Sequence, residues 1–117
     1  MELIVPYVKG GGTDKRARLL ARFLERELGQ PINVVNRIGA VAGHTAIAEA
    51  KPDGQMIGMI TGEIGMMHWF NQVTTLTWKD YTPLAVPYVE AAAIIVRADA
   101  PFDSLADLLD AVRARPM

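Results

Sequence analysis

Gly10, Gly11 and Gly12 stand together, followed at once by Thr13 and Asp14, directly after the apolar run Leu3-Ile4-Val5-Pro6-Tyr7-Val8-Lys9. A strand, a glycine turn and a helix start in that order leave backbone N–H groups uncovered at the positive end of a helix dipole. The chemistry this suits is the holding of an anion. One glycine suffices for a tight strand-to-helix turn, so the plain alternative is a turn and nothing more. Three in a row favour close approach of a ligand to the main chain. Thr13 and Asp14 also fit as helix N-caps, and the Thr13 hydroxyl can serve as cap or ligand contact.

Other chemistry is poorly supplied. No Gly-Lys-Ser/Thr follows the glycines, and the dinucleotide pattern fails because residue 15 is lysine and the second strand ends in Asn36, not an acid. Lys15, Arg16 and Arg18 sit where a helix dipole disfavours cations, so they read as solvated side chains that add positive potential near the cup. His44 and His68 are far apart in a chain without cysteine, which is not a metal-ligand set. No Ser–His–Asp or paired-carboxylate spacing is present. Glu63 is the acid expected to face the cleft, as a polar contact or a helix N-terminal residue, not a general base. Met56, Met59, Met66 and Met67 read as a soft-packed core patch, and Trp69 and Phe70 as core or interface aromatics. No cofactor is implied.

The bulk numbers are those of an ordinary globular protein. At 117 residues, 50% apolar and 21% charged, the chain supports one domain with a modest core. A net charge of −1 with no basic block argues against nucleic acid or an anionic membrane surface as partner. The longest apolar run, Ala91 to Val96, is far shorter than the ~20 residues of a membrane span. Met1-Glu2 leads straight into a strand with no secretory leader, which fits a cytoplasmic protein or one whose leader has been removed.

The elements that would position these residues alternate. Leu3 to Val8 reads as a buried strand. Asp14 to Leu28 reads as a helix with Ala17, Leu20, Ala21, Leu24 and Leu28 on one face, stopped by Gly29 and Pro31. Ile32 to Val35 is the second strand, Gly43 to Lys51 a short helix closed by Lys51-Pro52-Asp53-Gly54, and Met56 to Thr61 a third strand. Glu63 to Asn71 is weakly helical, with a polar loop at Thr74-Thr75. Leu84 to Val89 and Ala92 to Val96 are further strand candidates, the first interrupted by Pro87. A last helix is capped by Ser104 with Asp107, its stripe being Leu105, Leu108, Leu109 and Val112. The alternation predicts an α/β fold, a mostly parallel sheet flanked by helices. Ligands of such sheets sit beyond the carboxyl ends of the strands. The loops there are Lys9–Thr13, Asn36–Gly43 and Thr61–Glu63, all glycine-bearing and all expected at one edge.

Val5-Pro6-Tyr7-Val8-Lys9-Gly10-Gly11-Gly12-Thr13-Asp14 resembles the opening "VPF-x-x-GGGTD" of the extracytoplasmic solute receptors of tripartite tricarboxylate transporters, the Bug receptors. Leu28-Gly29-Gln30-Pro31, Val35-Asn36-Arg37, the Pro52-Asp53-Gly54 turn and Leu76-Thr77-Trp78-Lys79-Asp80-Tyr81-Thr82-Pro83 resemble the family in the same order along the chain. The resemblance implies a periplasmic binding protein of the type II-like fold, with two α/β lobes closing on a small carboxylate and delivering it to membrane permease subunits. It implies that Tyr7, Gly10, Gly11, Gly12, Thr13 and Asp14 of the first loop, Asn36, Gly39 and Gly43 of the second, and Thr61 and Glu63 of the third contact the ligand. Here Lys9 replaces a commonly small residue, and the second loop is shorter than the family's "N-R-x-G-x-G-x-x-G". The family's chains run to roughly twice this length or more, so residues 1–117 read as a single N-terminal lobe with the second lobe absent. The expected function is carboxylate capture without catalysis, through the amides of Gly11, Gly12 and Thr13, with weak affinity in the lone lobe. The surface that would meet the second lobe is expected to favour a homo-oligomer. Two alternatives stay open: a small enzyme that binds phosphate or nucleotide in the glycine cup, and a self-associating remnant that binds nothing.

Overall fold

Leu3, Ile4 and Val5 are at most 1% exposed, because the strand that carries them lies at the centre of the sheet. A computed structural model describes residues 1–66 and 75–115 of the chain. Strand β1 (Glu2–Val5) is flanked by β2 (Asn33–Asn36) and β3 (Met56–Gly58), both parallel to it, in the order β2-β1-β3. The pairing sets Leu3 against Val34 and Ile57, so one apolar register crosses all three strands. Parallel neighbours need crossover connections, and helices α1 (Gly12–Leu28) and α2 (Ala40–Ala48) supply them. The expected parallel α/β sheet is therefore present.

Helix α1 buries Asp14, Ala17 and Ala21. It ends at Gly29, whose left-handed backbone (φ 64°) lets its N–H reach the Glu25 carbonyl at 2.9 Å. Two glycines mark close approaches elsewhere. A Cβ on Gly58 of β3 would collide with Ile47 of α2, and one on Gly43 would lie 2.6 Å from the Pro6 Cβ. Both glycines let α2 lie flat on the sheet.

Several boundaries differ from expectation. β1 stops at Val5, because the Val8 carbonyl is already turned to accept the Gly11 N–H at 3.2 Å. α1 is capped by Gly11, so Thr13 and Asp14 lie inside its first turn and are not N-caps. α2 spans Ala40–Ala48 where the sequence suggests Gly43 to Lys51, and β3 is shorter than Met56 to Thr61. The weak helix expected from Glu63 is a 3-10 turn, Gly62–Gly65, and its continuation past Met66 lies outside the described residues. A second 3-10 turn, Trp78–Asp80, carries a capping box on Thr77. The Met patch does not hold together, since Met59 is buried and Met66 is 48% exposed; Met67, His68, Trp69 and Phe70 fall outside the described residues.

The chain divides into two units, Met1–Pro87 and Tyr88–Met117. The strands expected at Leu84–Val89 and Ala92–Val96 do not form among the described residues. Their apolar side chains are largely exposed, Leu84 and Val86 at 79% and Ile95 at 86%. Strand propensity acts only when a neighbouring edge offers partners, and Pro83 and Pro87 withhold two donors besides. In the second unit α3 (Leu105–Ala114) starts as expected, with Ser104 Oγ accepting the Asp107 N–H at 3.2 Å. Its Leu105, Leu109 and Val112 are all more than two-fifths exposed.

Candidate functional site

Because the strands are parallel, their carboxyl ends share one edge, and the loops that leave them meet there. Two hydrogen-bonded clusters join them. The first links the β1 and β2 loops. Asp14 is 1% exposed, yet its carboxylate is ionised and fully engaged. One oxygen accepts the Gly10 N–H at 2.7 Å and Arg18 Nε at 2.9 Å, and the other accepts Asn36 Nδ2 at 2.8 Å. Asn36 Nδ2 also donates to the Tyr7 carbonyl at 3.0 Å, while Asn36 Oδ1 accepts from the Arg18 guanidinium at 3.0 Å. The Arg18 hydrogen bond, with those from Gly10 and Asn36, holds the Asp14 carboxyl well below the usual carboxylate range despite its burial.

The second cluster links the β1 and β3 loops. Tyr7 Oη lies 2.7 Å from Thr61 Oγ1 and donates to Glu63 Oε1 at 2.8 Å. Burial above all pushes the Tyr7 phenol up to about 12; hydrogen bonds from Thr61 offset part of this and the Glu63 charge adds to it. Fully buried His44, from the first turns of α2, brings Nε2 to 3.8 Å from Glu63 Oε1. The His44 carbonyl accepts the Tyr81 hydroxyl at 3.1 Å.

These contacts sort the residues singled out from the sequence. Gly10 needs its glycine, at φ 82°, to turn its N–H onto Asp14. Of the three amides expected to form the cradle, that of Gly11 donates to the Val8 carbonyl at 3.2 Å. The amides of Gly12 and Thr13 have no acceptor among the described residues, and Gly12 is exposed and Thr13 half-buried. Asp14 and Asn36 have their polar atoms committed to each other and to Arg18, so they brace the loops where direct ligand contact was expected. Gly39 (φ 112°) caps α2 and accepts the Gly43 N–H at 2.9 Å. Gly43, buried with that amide spent, is a packing position against Pro6. Thr61, Glu63 and Tyr7 come together as a polar cluster at the edge.

Two residues were missed. Arg18 is not simply solvated, and the signal was available: Asp14 and Arg18 are an i,i+4 pair on one helix face. The role of His44 beside Glu63 had no local sequence signal, because the two lie in different elements, α2 and the 3-10 turn after β3. Among the described residues no group of His and acidic side chains is arranged to hold a metal ion, and no helix is long and apolar enough to cross a membrane. A separate shallow hollow, walled by Ile94, Val96, Phe102 and Leu105 in the second unit, contains none of the expected site residues.

A parallel sheet flanked by helices, with glycine-bearing loops gathered at its carboxyl edge, defines an α/β lobe of the type II-like periplasmic binding protein fold. Among solved structures the chain is similar to a TctC solute-binding protein from Polaromonas, with a TM-score of 0.66 and 32% identity, over 97% of this chain and 40% of that one. It is also similar to a structure described as a periplasmic transporter, with a TM-score of 0.51 and 39% identity, over 57% of this chain and 22% of that one. Residues 16–117 match the family described as the tripartite tricarboxylate transporter family receptor, and the chain belongs to that family. Protein BugT of Bordetella pertussis is 31% identical over 99% of this chain and 37% of its own length. A protein from the tcbD-tcbE intergenic region of a Pseudomonas species is 29% identical over 97% of this chain and 34% of its own. The chain thus spans a little over a third of the length of these curated relatives.

Proposed function

We propose that this chain is the ligand-cradling lobe of a periplasmic solute receptor, which captures a small carboxylate for the permease subunits of a tripartite transporter by binding alone. The observation that carries this is the pair of amides without an acceptor among the described residues, Gly12 and Thr13, at the positive end of a 17-residue helix. They lie on the edge where the three strand ends converge, and the family supplies the biological setting. Each charge-assisted bond from such an amide to a carboxylate contributes about 1.5–3 kcal/mol before desolvation. The Asp14–Asn36–Arg18 brace supports the reading, because it fixes the loop in advance and leaves little ordering cost to binding.

Two amides by themselves make few bonds to a ligand, which predicts weak affinity for residues 1–117. Amide-resolved NMR titration of the 117-residue chain with citrate, succinate, glutamate and inorganic phosphate tests this. The expected result is weak, saturable shifts centred on Gly12 and Thr13 with the carboxylates. Shifts confined to other residues would defeat the proposed site, sub-micromolar binding by the monomer would defeat the weak-affinity expectation, and tighter binding of phosphate would favour the small-enzyme alternative. A second reading, a self-associating chain that holds no ligand, draws on the exposure of Leu84, Val86, Val89, Ile94 and Ile95. Light scattering on the same samples separates it, since it requires an oligomer with silent Gly12 and Thr13 amides.

A further inference from the structure

We propose that the outward face of α1 is a docking surface for an anionic lipid bilayer, on which a pair of apolar side chains is seated within a rim of cations. This contact needs neither the Gly12 nor the Thr13 amide, so it goes beyond the receptor function proposed above and is tested apart from it.

Helix α1 buries Asp14, Ala17 and Ala21. A period of 3.6 residues therefore points Lys15, Arg16, Leu19, Arg22, Phe23 and Arg26 the other way. Lys15 and Arg22 are exposed and Arg16 is half-buried, while the Arg26 side chain is 70% exposed. Between them Leu19 and Phe23 are 55% and 50% exposed. Lys15, Leu19, Arg22 and Arg26 follow one another along one ridge, and Arg16, Leu19 and Phe23 along a second. Cations thus flank the apolar pair on both sides, from Lys15 to Arg26, over about 17 Å. The Arg26 guanidinium lies 5.5 Å from the centroid of the Phe23 ring, at the edge of that pair.

The acids of α1 are turned away or met. Asp14 is buried, and Glu25 Oε1 accepts the Ile32 N–H at 2.8 Å. Glu27, in the last turn, accepts from Arg26 Nε at 3.2 Å. The net charge of −1 describes the whole chain and not this face, since Glu90, Asp99, Asp103, Asp107 and Asp110 belong to the second unit. In sequence the cations are interleaved with apolar residues and form no basic block. The helix gathers them onto one side.

A basic helix face with Phe and Leu at its centre suits a lipid headgroup layer, because its cations meet the phosphates while the apolar pair enters the acyl boundary. Long Lys and Arg side chains keep their charges at headgroup level as Leu19 and Phe23 go deeper. The face is a convex ridge, which a deformable headgroup layer takes in without a matching shape. A protein partner would have to offer an acidic groove cut to that ridge. On the function proposed above, contact with the bilayer confines the search for a membrane permease to a surface.

Sedimentation of the 117-residue chain with vesicles tests this, phosphatidylglycerol mixed equally with phosphatidylcholine against phosphatidylcholine alone. Wild type should bind the mixed vesicles, release as salt rises through about 0.1 M, where the Debye length is about 10 Å, and ignore phosphatidylcholine. Arg22→Glu should weaken binding roughly thirtyfold, since it removes one attraction and adds one repulsion. Phe23→Ser should weaken it several-fold and leave the salt dependence unchanged. Lys51→Glu makes the same change in net charge at an exposed position beyond α2. The steps β1 to β2 and β2 to β3 run opposite ways across the sheet, so right-handed crossovers set α2 on the face away from α1, and this variant should bind like wild type. Spectral dispersion confirms that each variant is folded. Equal binding to both vesicle types, or a loss in Lys51→Glu as large as in Arg22→Glu, overturns the proposal. So does indifference to the mixed vesicles, and retention on immobilised poly-glutamate would then assign the face to an acidic protein.

Discussion

Asp14→Asn replaces a carboxylate that takes three hydrogen bonds with a near-isosteric group that cannot. The amide oxygen can keep the Gly10 N–H and Arg18 Nε, at 2.7 and 2.9 Å, but its NH2 then faces Asn36 Nδ2, a donor against a donor at 2.8 Å. Turned the other way it loses two bonds to keep one. Breaking a buried ion pair on one side costs about 3–5 kcal/mol. Arg18 is 39% exposed, so water can cover its guanidinium, which places the loss near the lower figure, about 3 kcal/mol. Urea unfolding followed at residues of the Met1–Pro87 unit measures it. Acid adds an independent signature. Folding depresses the Asp14 pKa, chiefly through Arg18, so its stabilisation is complete above the ordinary aspartate value of about 3.9 and is lost as pH falls below it. Asp14→Asn should therefore lie well below wild type at neutral pH and converge on it in acid. A loss under about 1 kcal/mol, or a gap that stays constant down to the acid limit, refutes the brace.

Tyr7→Phe removes the link between Thr61 and Glu63 and should cost about 1–3 kcal/mol by chemical denaturation. Because folding raises the Tyr7 pKa to about 12, its contribution is present below the ordinary tyrosine value of about 10 and is lost as pH rises through about 12; ultraviolet difference titration should show a late tyrosine ionisation that is smaller in the variant, the remainder belonging to Tyr81, which burial also raises. Gly43→Ala places a Cβ 2.6 Å from the Pro6 Cβ and 2.8 Å from the Arg37 carbonyl, so α2 must lift from the sheet, at about 1–3 kcal/mol. A melting temperature within a degree or so of wild type would show that the contact is slack.

The parts of the fold that were legible in the sequence are those whose signals are local. The face Ala17, Leu20, Ala21, Leu24 lies within one helix, Gly29 stops that helix by its own backbone, and Ser104 caps the last one through a residue three positions on. The errors share a different cause. Leu84–Val89 and Ala92–Val96 carry strand-like residues, but a strand is completed by a neighbour that local pattern does not reveal. Met66 joins the apolar run by spacing and leaves the core because the chain turns at Gly62–Gly65. Within the site, the glycine loop was visible as an anion cup. Which of its amides remained uncovered depended on the Val8 carbonyl turning inward, a matter of loop geometry.

Residue order alone determined that three short apolar strands alternate with helices and that glycines sit at the strand ends, because handedness and crossover length leave a parallel sheet as the economical packing. Tertiary structure alone decided the roles of the charged and polar residues. Asp14, Arg18 and Asn36 became a brace, and Tyr7, Thr61 and Glu63 a hydrogen-bonded cluster, only when parallel pairing brought the loops after β1, β2 and β3 to one edge. A hydrogen bond is made by atoms within about 3 Å, and for residues up to 56 positions apart only the folded sheet sets that distance.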